Sequence, residues 1–408
     1  MISLYEAQEF VLSKVERKRA IATPLDKALG LVTSGDVVSM VNIPPFDNTA
    51  VDGFAIDTES LEELARRGSV TLSVEGTIAA GDGKLREIPR GSTYRIMTGA
   101  RTPEGTAAVV MVEDSIDLDG GAVELRGALS HGSNIRRKGS DVSTGDVVVP
   151  EGTVLNASHI GTLASIGLVR VPVYRRLRVG VLSTGDELKD GGESLEEGQI
   201  YDSNRHSLVA ALSQSGVEVV DLGIIRDDAD LIRDALSKAA KEFDAIATSG
   251  GVSVGDFDFT KAIVQELSQG NARWMQIAIR PAKPFAFGVL DGAAFFGLPG
   301  NPVSALVSFE LLMKPALAKM AGKDRQLPKF VKARSVSGYK RSLDGKIHFI
   351  RGVVSFEDDE ITALPLPKQS SHNLNEMSQS NCLIEVPDSE GFEAGDLVRV
   401  LVNSSVWI

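Results

Sequence analysis

The sequence predicts a multidomain protein in which a central α/β domain with a mostly parallel sheet is joined to a β-rich domain, a helical linker domain and a small C-terminal β-barrel. The chain has 408 residues, which is more than one hydrophobic core normally holds, so several domains are expected. From residue 176 onward, apolar strand-like runs alternate with helix-like runs, a pattern typical of a parallel sheet covered on both faces. Residues 30–145 and the tail after 327 instead carry short β-rich runs separated by Gly and Pro.

The composition excludes several classes of protein. A hydrophobic content of 43% and a charged content of 24% are typical of a globular protein. The net charge of -12 argues against nucleic-acid binding, which usually needs a basic face. We find neither a membrane-spanning apolar stretch nor an apolar signal core near the N-terminus, so a cytoplasmic protein without membrane contact is expected. Cys382 is the only cysteine, which excludes an internal disulfide and a multi-cysteine zinc site.

The strand-like and helix-like runs of "DVVVPEGTVLNASHIGTLASIG" favour a return of the chain to the N-terminal helix, which would make one domain from two separated segments.

Three helix signals are specific enough to test. Ser3 and Glu6 have the spacing of a capping box, and Leu4, Ala7, Val11 and Val15 then share one helical face. Ser203 is predicted to be the N-cap of a helix in "SNRHSLVAALSQSG". Asn301 is predicted to cap a long helix with Pro302 in its first turn.

The turn "TSGGVSVGDFDFTK", residues 248–261, combines glycines, hydroxyls and two acids between a strand and a helix. Glycine lets the backbone approach a ligand closely, and free N–H groups ahead of a helix bind anions. The acids favour a hard cation such as Mg²⁺ beside a phosphate. An ordinary glycine-rich turn with an acid at the helix start is the alternative. The candidate ligand contacts are Ser249, Gly250, Gly251, Ser253 and Asp258.

Three loops of the β-rich region form a second group of candidates. "IPPFDNTAVDG" is stiffened by two prolines and contains Asp52, although a turn held by its own Asx side chains is the alternative. "IMTGARTPEG" places Thr98 at a strand end. "NIRRKGSD" places Arg136 and Arg137 shortly before Asp141, and guanidinium groups suit phosphates and oxyanions.

The α/β region places several loops at one edge of its predicted sheet. "VLSTGDEL", "GIIRDD" and "GLPGNP" each follow a strand, and ligands bind beyond the carboxyl ends of parallel strands. "IRPAKPFAFG" adds Arg280 and Lys283. Arg351 and Ser371 reach this edge only if the tail domain, of the same or of a second subunit, packs there. Anion donors and acids without a nucleophile–base pair favour metal-assisted chemistry at a phosphoryl group.

Together these motifs resemble the MoeA family, the molybdopterin molybdenumtransferases, which are related to the E domain of gephyrin. The match follows the chain in the order "IPPFDNTAVDGFAI", "IMTGARTPEGTAAVV", "RRKGSDVSTGD", "VLSTGDEL", "GQIYDSNRHSL", "LGIIRDD", "SGGVSVGDFDFTK", "KPFAFG" and "GLPGNPVSALVSFE". The α/β segment alone also resembles MogA, MoaB and competence-damage proteins. Two positions depart from the family pattern, because Gln276 and Arg280 stand where Lys is common.

The resemblance implies four domains, which we place at 1–26 with 142–175 for the linker and dimerisation domain, 27–141 for the β-rich domain, 176–323 for the α/β domain and 324–408 for the barrel. It also implies a homodimer with its active site in a cleft between subunits. It implies that adenylylated molybdopterin and molybdate, or tungstate, are substrates, that AMP leaves, and that Mg²⁺ assists. It also implies transient contact with an adenylyltransferase of the MogA or MoaB type and with enzymes that accept the cofactor. A gephyrin-type scaffold and a nucleotide pyrophosphatase remain as alternative functions.

The family pattern assigns roles to individual residues. It implies that Asp52, Asp227 and Asp258 bind the metal and act in catalysis, and that Glu187 and Thr98 join them. It implies that Asp141, Arg280, Lys283, Arg351, Ser371 and the loop residues Pro299, Gly300 and Asn301 contact the substrate.

Overall fold

The computed structural model describes residues 1–251, 259–323, 327–357 and 360–403. The first helix and two short strands open the chain: α1 Leu4–Lys14, β1 Ala20–Pro24 and β2 Val37–Val38. The capping box of α1 is confirmed, since the Ser3 hydroxyl accepts the Glu6 N–H at 3.1 Å and Glu6 accepts the Ser3 N–H at 2.7 Å. Ala7, Val11 and Val15 are buried in the core of the α/β region.

The β-rich region folds as one sheet with a helix on it. Its elements are β3 Asn48–Thr49, β4 Gly53–Ile56, α2 Thr58–Arg67, β5 Ser69–Ile78, β6 Ser92–Ile96, β7 Ala108–Met111, β8 Ser115–Leu118, β9 Ala122–Arg126 and β10 Ile135–Arg136. The sheet order is β7-β4-β6-β5-β9-β8, and β3 pairs with β10 beside it. Phe54, Ile56 and Leu64 lie in its core.

A short segment then returns to the N-terminal strands. Its elements are β11 Val147–Val149, α3 Ala157–Ser165 and β12 Arg170–Tyr174. Strand β12 pairs with β1 and β11 pairs with β2, both antiparallel. Strand pairing therefore joins 20–24 to 170–174, whereas α1 packs against the α/β region.

The α/β region carries a mixed, mostly parallel sheet. Its elements are β13 Arg178–Thr184, β14 Leu188–Lys189, β15 Ile200–Tyr201, α4 Ser203–Gln214, β16 Glu218–Ile225, α5 Ala229–Glu242, β17 Ala245–Ser249, α6 Phe259–Leu267, β18 Arg273–Gln276, β19 Ile279–Arg280, β20 Pro284–Leu290, β21 Ala293–Leu298, α7 Pro302–Ser308 and α8 Lys314–Met320. In the order β16-β13-β17-β21-β20-β18, the first four strands pair in parallel, and β20 pairs antiparallel with both β21 and β18, so that β20 alone among these six strands runs in the opposite direction. Apolar clusters cover both faces.

Two helix predictions need correction. Asp202, not Ser203, caps α4, because its carboxylate accepts the Arg205 N–H at 3.1 Å. The N-cap therefore lies one residue earlier than predicted. The helix after Asn301 starts at Pro302 as predicted, but a π-turn at Phe309–Met313 separates α7 from α8. Pro315 has no N–H to donate to the Leu311 carbonyl four residues earlier. The Gln8 side chain of α1 donates to that carbonyl at 2.9 Å.

The C-terminal region closes into the predicted small barrel. Its elements are β22 Phe330–Ser335, β23 Tyr339–Lys340, β24 Ile347–Glu357, β25 Glu360–Pro365, α9 Leu374–Ser378, β26 Cys382–Val386, β27 Gly391–Phe392 and β28 Leu397–Val402. Five described strands pair in the order β24-β25-β22-β28-β26, and β26 pairs back with β24. The predicted fold class is confirmed. Within the described ranges, the helices are too short or too polar for any of them to cross a membrane.

The barrel is attached to the α/β region through a shared strand pair. Strand β19 pairs in parallel with β24, so that Ile279 lies opposite Ile347 and Arg280 opposite His348. The Val303 N–H of α7 also donates to the Ser371 carbonyl at 3.2 Å. These contacts place the barrel loops beside the predicted basic residues within one chain.

Candidate active site

A cleft of about 740 Å³ lies between the α/β region and the barrel. Strand β19, the turn after it and the start of α7 form one wall, and the loops around 339–350 and 369–371 form the other. The lining residues that carry donors toward an anion include Arg280, Lys283, Asn301, Ser304 and Ser371. Residues far apart in sequence therefore meet in one cleft, and the tail domain of the same chain packs there.

Two cations of this cleft have no partner in the described part of the protein. The side chains of Arg280 and Lys283 are exposed and form no hydrogen bond or ion pair with any described residue. Their positive charge is therefore available to a ligand. An ammonium and a guanidinium facing one cleft favour an oxyanion or a phosphate.

The opposite wall is a network of cations around one carboxylate. Asp344 accepts hydrogen bonds from Arg341 at 2.6 Å and Lys346 at 2.9 Å, and it lies 3.2 Å from the His348 ring. The hydrogen bond from Lys346, helped by His348, holds the pKa of Asp344 well below its usual range. Burial lowers the pKa of His348, although Asp344 opposes this effect. Arg341 also donates to the Asp388 carboxylate at 2.9 Å, so two carboxylates offset the two cations of this wall, unlike the wall that carries Arg280.

Arg351 lies fully buried behind the loop that carries Ser371. Its Nη2 donates to the carbonyls of Lys368 at 2.5 Å and Ser370 at 3.1 Å. Nε and Nη1 have no hydrogen-bond partner in the described structure, and burial lowers the pKa of the guanidinium. The sequence predicted Arg351 as a substrate contact, and the structure places it beneath the cleft as a support of the loop, with two donors left over.

The acids predicted at the carboxyl edge of the sheet lie on two neighbouring loops. The Asp227 N–H donates to the Asp186 carboxylate at 3.2 Å. Glu187 is next to Asp186, and its carbonyl accepts the Ile200 N–H at 2.8 Å. The structure therefore brings the loops of Glu187 and Asp227 together at the predicted edge.

Backbone conformation and close packing also require glycine in the "TSGG" turn, in addition to the predicted ligand contact. Gly250 and Gly251 have φ of +92° and +66°, a region that side chains rarely adopt. A Cβ on Gly250 would lie 3.1 Å from the Thr184 carbonyl oxygen, and one on Gly251 would lie 2.7 Å from the Thr260 hydroxyl. Ser249 is buried at the end of β17. Ser253 and Asp258 lie outside the described residues.

A third predicted acid lies on the β-rich sheet. Asp52 accepts hydrogen bonds at 2.6 Å from both the hydroxyl and the N–H of Thr98. These two bonds hold the pKa of Asp52 below its usual range, so that the carboxylate is ionised near neutral pH. Asp52 and Thr98, 46 positions apart, therefore form one unit at the surface.

Of the two predicted arginines, Arg137 forms an ion pair and Arg136 forms none with a described residue. Arg137 pairs with the Asp47 carboxylate at 2.7 Å in a cavity of about 390 Å³, where the Lys138 N–H also donates to Asp47. Arg136 lies exposed on β10 and has no hydrogen bond or ion pair with a described residue. Asp141 is exposed nearby, with its N–H bonded to the Ile43 carbonyl.

Sequence reasoning missed several lining residues of the cleft. Ser304 follows Asn301 by three positions, which is about one helical turn, and this spacing was the signal that could have found it. No local pattern marks Arg341, Lys346 or His348, which reach the cleft only through barrel closure. The loop of Pro299 and Gly300 is held from below, because the Gly300 carbonyl accepts the Asn204 side-chain amide at 2.7 Å.

The sequence and the fold match known proteins along the chain. Residues 2–167 match the family model "MoeA N-terminal region (domain I and II)", 180–319 match "Probable molybdopterin binding domain", and 340–402 match "MoeA C-terminal region (domain IV)". A molybdopterin molybdenumtransferase of Haemophilus influenzae is 41% identical over 379 residues, with 92% of each chain covered. Molybdopterin molybdenumtransferase 2 of Mycobacterium tuberculosis is 35% identical over 100% of this chain and 99% of its own.

Solved structures agree with the sequence relatives. The molybdopterin biosynthesis MoeA protein of Pyrococcus horikoshii OT3 superimposes with a TM-score of 0.83 at 30% identity, covering 98% of this chain and all of its own. Because relatives named molybdopterin molybdenumtransferase match nearly the whole chain, this protein is a transferase enzyme. The chain belongs to the MoeA family.

Proposed function

We propose that this protein inserts molybdate, or tungstate, into adenylylated molybdopterin with Mg²⁺-dependent release of AMP, the final step of molybdenum cofactor biosynthesis. The observation that carries this proposal is the cleft between the α/β region and the barrel, where Arg280 and Lys283 have no partner among the described residues. The names of the full-length relatives support the transfer of molybdenum to molybdopterin.

The cleft favours a small doubly charged oxyanion for three reasons. Arg280 and Lys283 supply two positive charges at its open side. Ser304 and Ser371 supply hydroxyl groups on the same lining. Arg351 adds a third positive charge, fully buried beneath the cleft, with Glu376 as a nearby negative charge and with two donor nitrogens that have no hydrogen-bond partner in the described structure. Buried donors without a partner are costly, and the positive charge of Arg351 attracts an anion to the cleft.

The magnesium part of the proposal rests on fewer contacts. No group of three or more His, Cys, Asp or Glu side chains within the described ranges is arranged to hold a metal ion. Asp52 and Asp227, proposed as ligands together with Asp258, lie on different domains, and Asp258 lies outside the described residues. Carboxylates are the ligands that Mg²⁺ prefers, and the bound ion would neutralise charge at the phosphoanhydride. Within one chain the described acids do not form a complete site.

This incomplete site supports the proposal of a homodimer. The paired strands β1–β12 and β2–β11 and the residues beside them expose large apolar side chains, among them Met40 at 81%, Val169 at 78% and Val147 at 48%, and an exposed apolar patch typically marks an interface. A second copy that covers this surface can bring Asp52 and Thr98 to the partner's α/β rim. Light scattering should give twice the 43.4 kDa chain mass, and a fully active monomer would refute a site shared between subunits.

The reaction itself can be tested directly. The protein is incubated with adenylylated molybdopterin, Mg²⁺ and either molybdate or tungstate, and AMP release is followed together with cofactor formation. We expect both products in equal amounts, and neither without the oxyanion. AMP release without cofactor formation would instead favour a nucleotide pyrophosphatase.

The proposal also includes the enzymes that act before and after this one and the compartment in which they act. An adenylyltransferase would supply the adenylylated pterin, and molybdoenzymes would accept the product through transient contacts. The buried Cys382 thiol, whose pKa is raised to about 12 by burial, fits a reducing cytoplasm because it needs no disulfide.

A further inference from the structure

Arg205 is a buried cation that contacts three carboxylates outside the cleft described above. It lies in the first turn of α4, and its side chain is only 3% exposed. Its Nε donates to Asp202 at 2.9 Å, its Nη1 to Asp221 and its Nη2 to Asp190. Each of the three guanidinium nitrogens therefore holds a different acid.

These three acids belong to separate segments that lead into the predicted catalytic edge. Asp190 follows β14 in the loop that begins at Glu187. Asp202 lies at the end of the same loop, and its N–H donates to the Lys189 carbonyl at 2.9 Å. Asp221 lies in β16, the strand that leads to Asp227. One guanidinium thus ties the loop of Glu187 to the strand before Asp227.

The strand before Asp227 is irregular at the point where Arg205 holds it. The pairing of β13 with β16 shifts register, since Val181 lies opposite Asp221 but Ser183 lies opposite Ile224. Gly223, with φ of +80°, donates its N–H to Asp221 at 2.9 Å. A bulge of this kind re-aims the residues that follow it. The direction of the chain toward Asp227 therefore depends on how Asp221 is held.

The charge balance of this cluster is unusual for a group that only stabilises the fold. One guanidinium faces three carboxylates, of which Asp202 is buried and Asp190 and Asp221 are partly exposed, and a buried ion pair is seldom more stable than a packed apolar pair. Burial raises the pKa of Asp221, but the hydrogen bonds from Arg205 and Gly223 and the charges of Arg205 and His206 together lower it, so the acid stays ionised. Buried, multiply bonded cations of this kind are well suited to fixing geometry.

We propose that Arg205 is a positioning residue that sets the distance between the Glu187 loop and the Asp227 loop, and so the arrangement of acids at the catalytic edge. The assignment of that edge to catalysis rests on the proposed function. The geometric role of Arg205 does not depend on it, and the two can be tested separately.

The first experiment measures loop order without any substrate. Arg205→Lys keeps the charge but replaces the three-way fork by one ammonium group. Arg178→Lys is the matched control, because Arg178 also bonds two acids, Glu218 and Glu242, but lies 37% exposed at the amino end of the sheet. Hydrogen exchange should become at least about tenfold faster in peptides 186–201 and 221–228 of Arg205→Lys only. Equal exchange in both variants would overturn the proposal.

The second experiment tests whether the loss of loop order in Arg205→Lys also changes the arrangement of the acids Glu187 and Asp227. In the AMP-release assay, Arg205→Lys should need about tenfold more Mg²⁺ for half-maximal rate, with KM for adenylylated molybdopterin within twofold of the parent protein. Faster exchange with an unchanged Mg²⁺ requirement would make Arg205 purely structural and refute the proposal.

A milder variant covers the case in which Arg205→Lys fails to fold. Asp190→Asn alters the half-exposed end of the cluster and leaves Arg205, Asp202 and Asp221 in place. It should accelerate exchange in 186–201 alone and raise the Mg²⁺ requirement less than Arg205→Lys. Unaltered exchange in 186–201 of this variant would also overturn the proposal. A parent protein that releases no AMP refutes the proposed function, while the exchange result still decides the role of Arg205.

Discussion

The cleft beside the barrel and the cavity of the β-rich region each contain an arginine predicted to contact an anion, but of these two only Arg137 of the cavity, and not Arg280 of the cleft, is paired with a described carboxylate. In the β-rich cavity, Arg137 is bonded to Asp47 at 2.7 Å. In the cleft, Arg280 and Lys283 have no bond to a described residue. An arginine that already holds a carboxylate has little left to offer an anion. The difference therefore separates a basic residue that shapes a loop from one that is available to a ligand.

The acids of the two regions show a similar division. Asp344, in the cleft, is bonded to Arg341 and Lys346. The Asp52 carboxylate, on the β-rich sheet, accepts side-chain and backbone hydrogen bonds only from the neutral Thr98 among the described residues, and the charge of Arg95 lowers its pKa without a described ion pair. We infer that the cleft supplies positive charge to the reaction and that the β-rich region supplies negative charge.

The largest effect is expected where the free cations of the cleft are removed. Arg280→Ala combined with Lys283→Ala removes two charge-assisted bonds of about 2 kcal/mol each, so the Kd for molybdate should rise about a thousandfold. Both side chains are exposed, so the melting temperature should stay within about 2 °C. Calorimetric titration with molybdate measures the Kd.

A matched control for that experiment is Lys241→Ala combined with Lys332→Ala. This pair removes the same charge from exposed positions outside the cleft. If the control weakens molybdate binding as much as the cleft variant does, the attraction is a property of the net charge and the comparison fails.

A smaller effect is expected from neutralising the free acid of the β-rich sheet. Asp52→Asn keeps an oxygen for the Thr98 bonds but loses the charge, so turnover measured by AMP release should fall about a hundredfold with little change in stability. Asp47→Asn leaves Arg137 without its counter-ion and should reduce turnover much less. Equal turnover of the two variants would remove the distinction between the free and the engaged acid.

Replacing Arg136 and Arg137 one at a time should give two different effects. Arg136→Ala should weaken binding of adenylylated molybdopterin about tenfold without changing stability, because its charge is available. Arg137→Ala should lower the free energy of unfolding by less than about 1 kcal/mol, because its pair with Asp47 is half-exposed. Fluorescence titration and urea unfolding measure the two effects, and the reverse assignment would contradict the comparison.

The smallest effect concerns how the free energy of unfolding depends on pH through His348, which lines the cleft. Burial lowers the pKa of His348 in the folded protein, so the unfolded chain takes up the proton first as pH falls. The stability associated with this neutral His348 is present above its ordinary pKa of about 6.5 and is lost as pH falls below it. His348→Gln should therefore show a shallower loss of stability between pH 7 and 5 in urea unfolding. A slope identical to that of the parent protein would argue against the lowered pKa.

The sequence by itself determined the local features of this protein. The capping box at Ser3 and Glu6, the helix start at Pro302 and the alternation of strands and helices all depend on residues a few positions apart. The loops of Glu187, Asp227 and Gly250 were placed at one edge because parallel strands share that edge. The barrel followed from short alternating runs, and the family from motifs in a fixed order.

Only the tertiary structure decided which charges are free. Arg137 meets Asp47 across 90 positions, and Arg205 collects acids from three segments. Arg351 lies buried beneath the cleft as a support of the Ser371 loop, because β24 pairs with β19 and brings the barrel to the α/β region. A side chain's type fixes the charge that it carries, but the partner that cancels this charge is chosen by long-range packing, which no local pattern encodes.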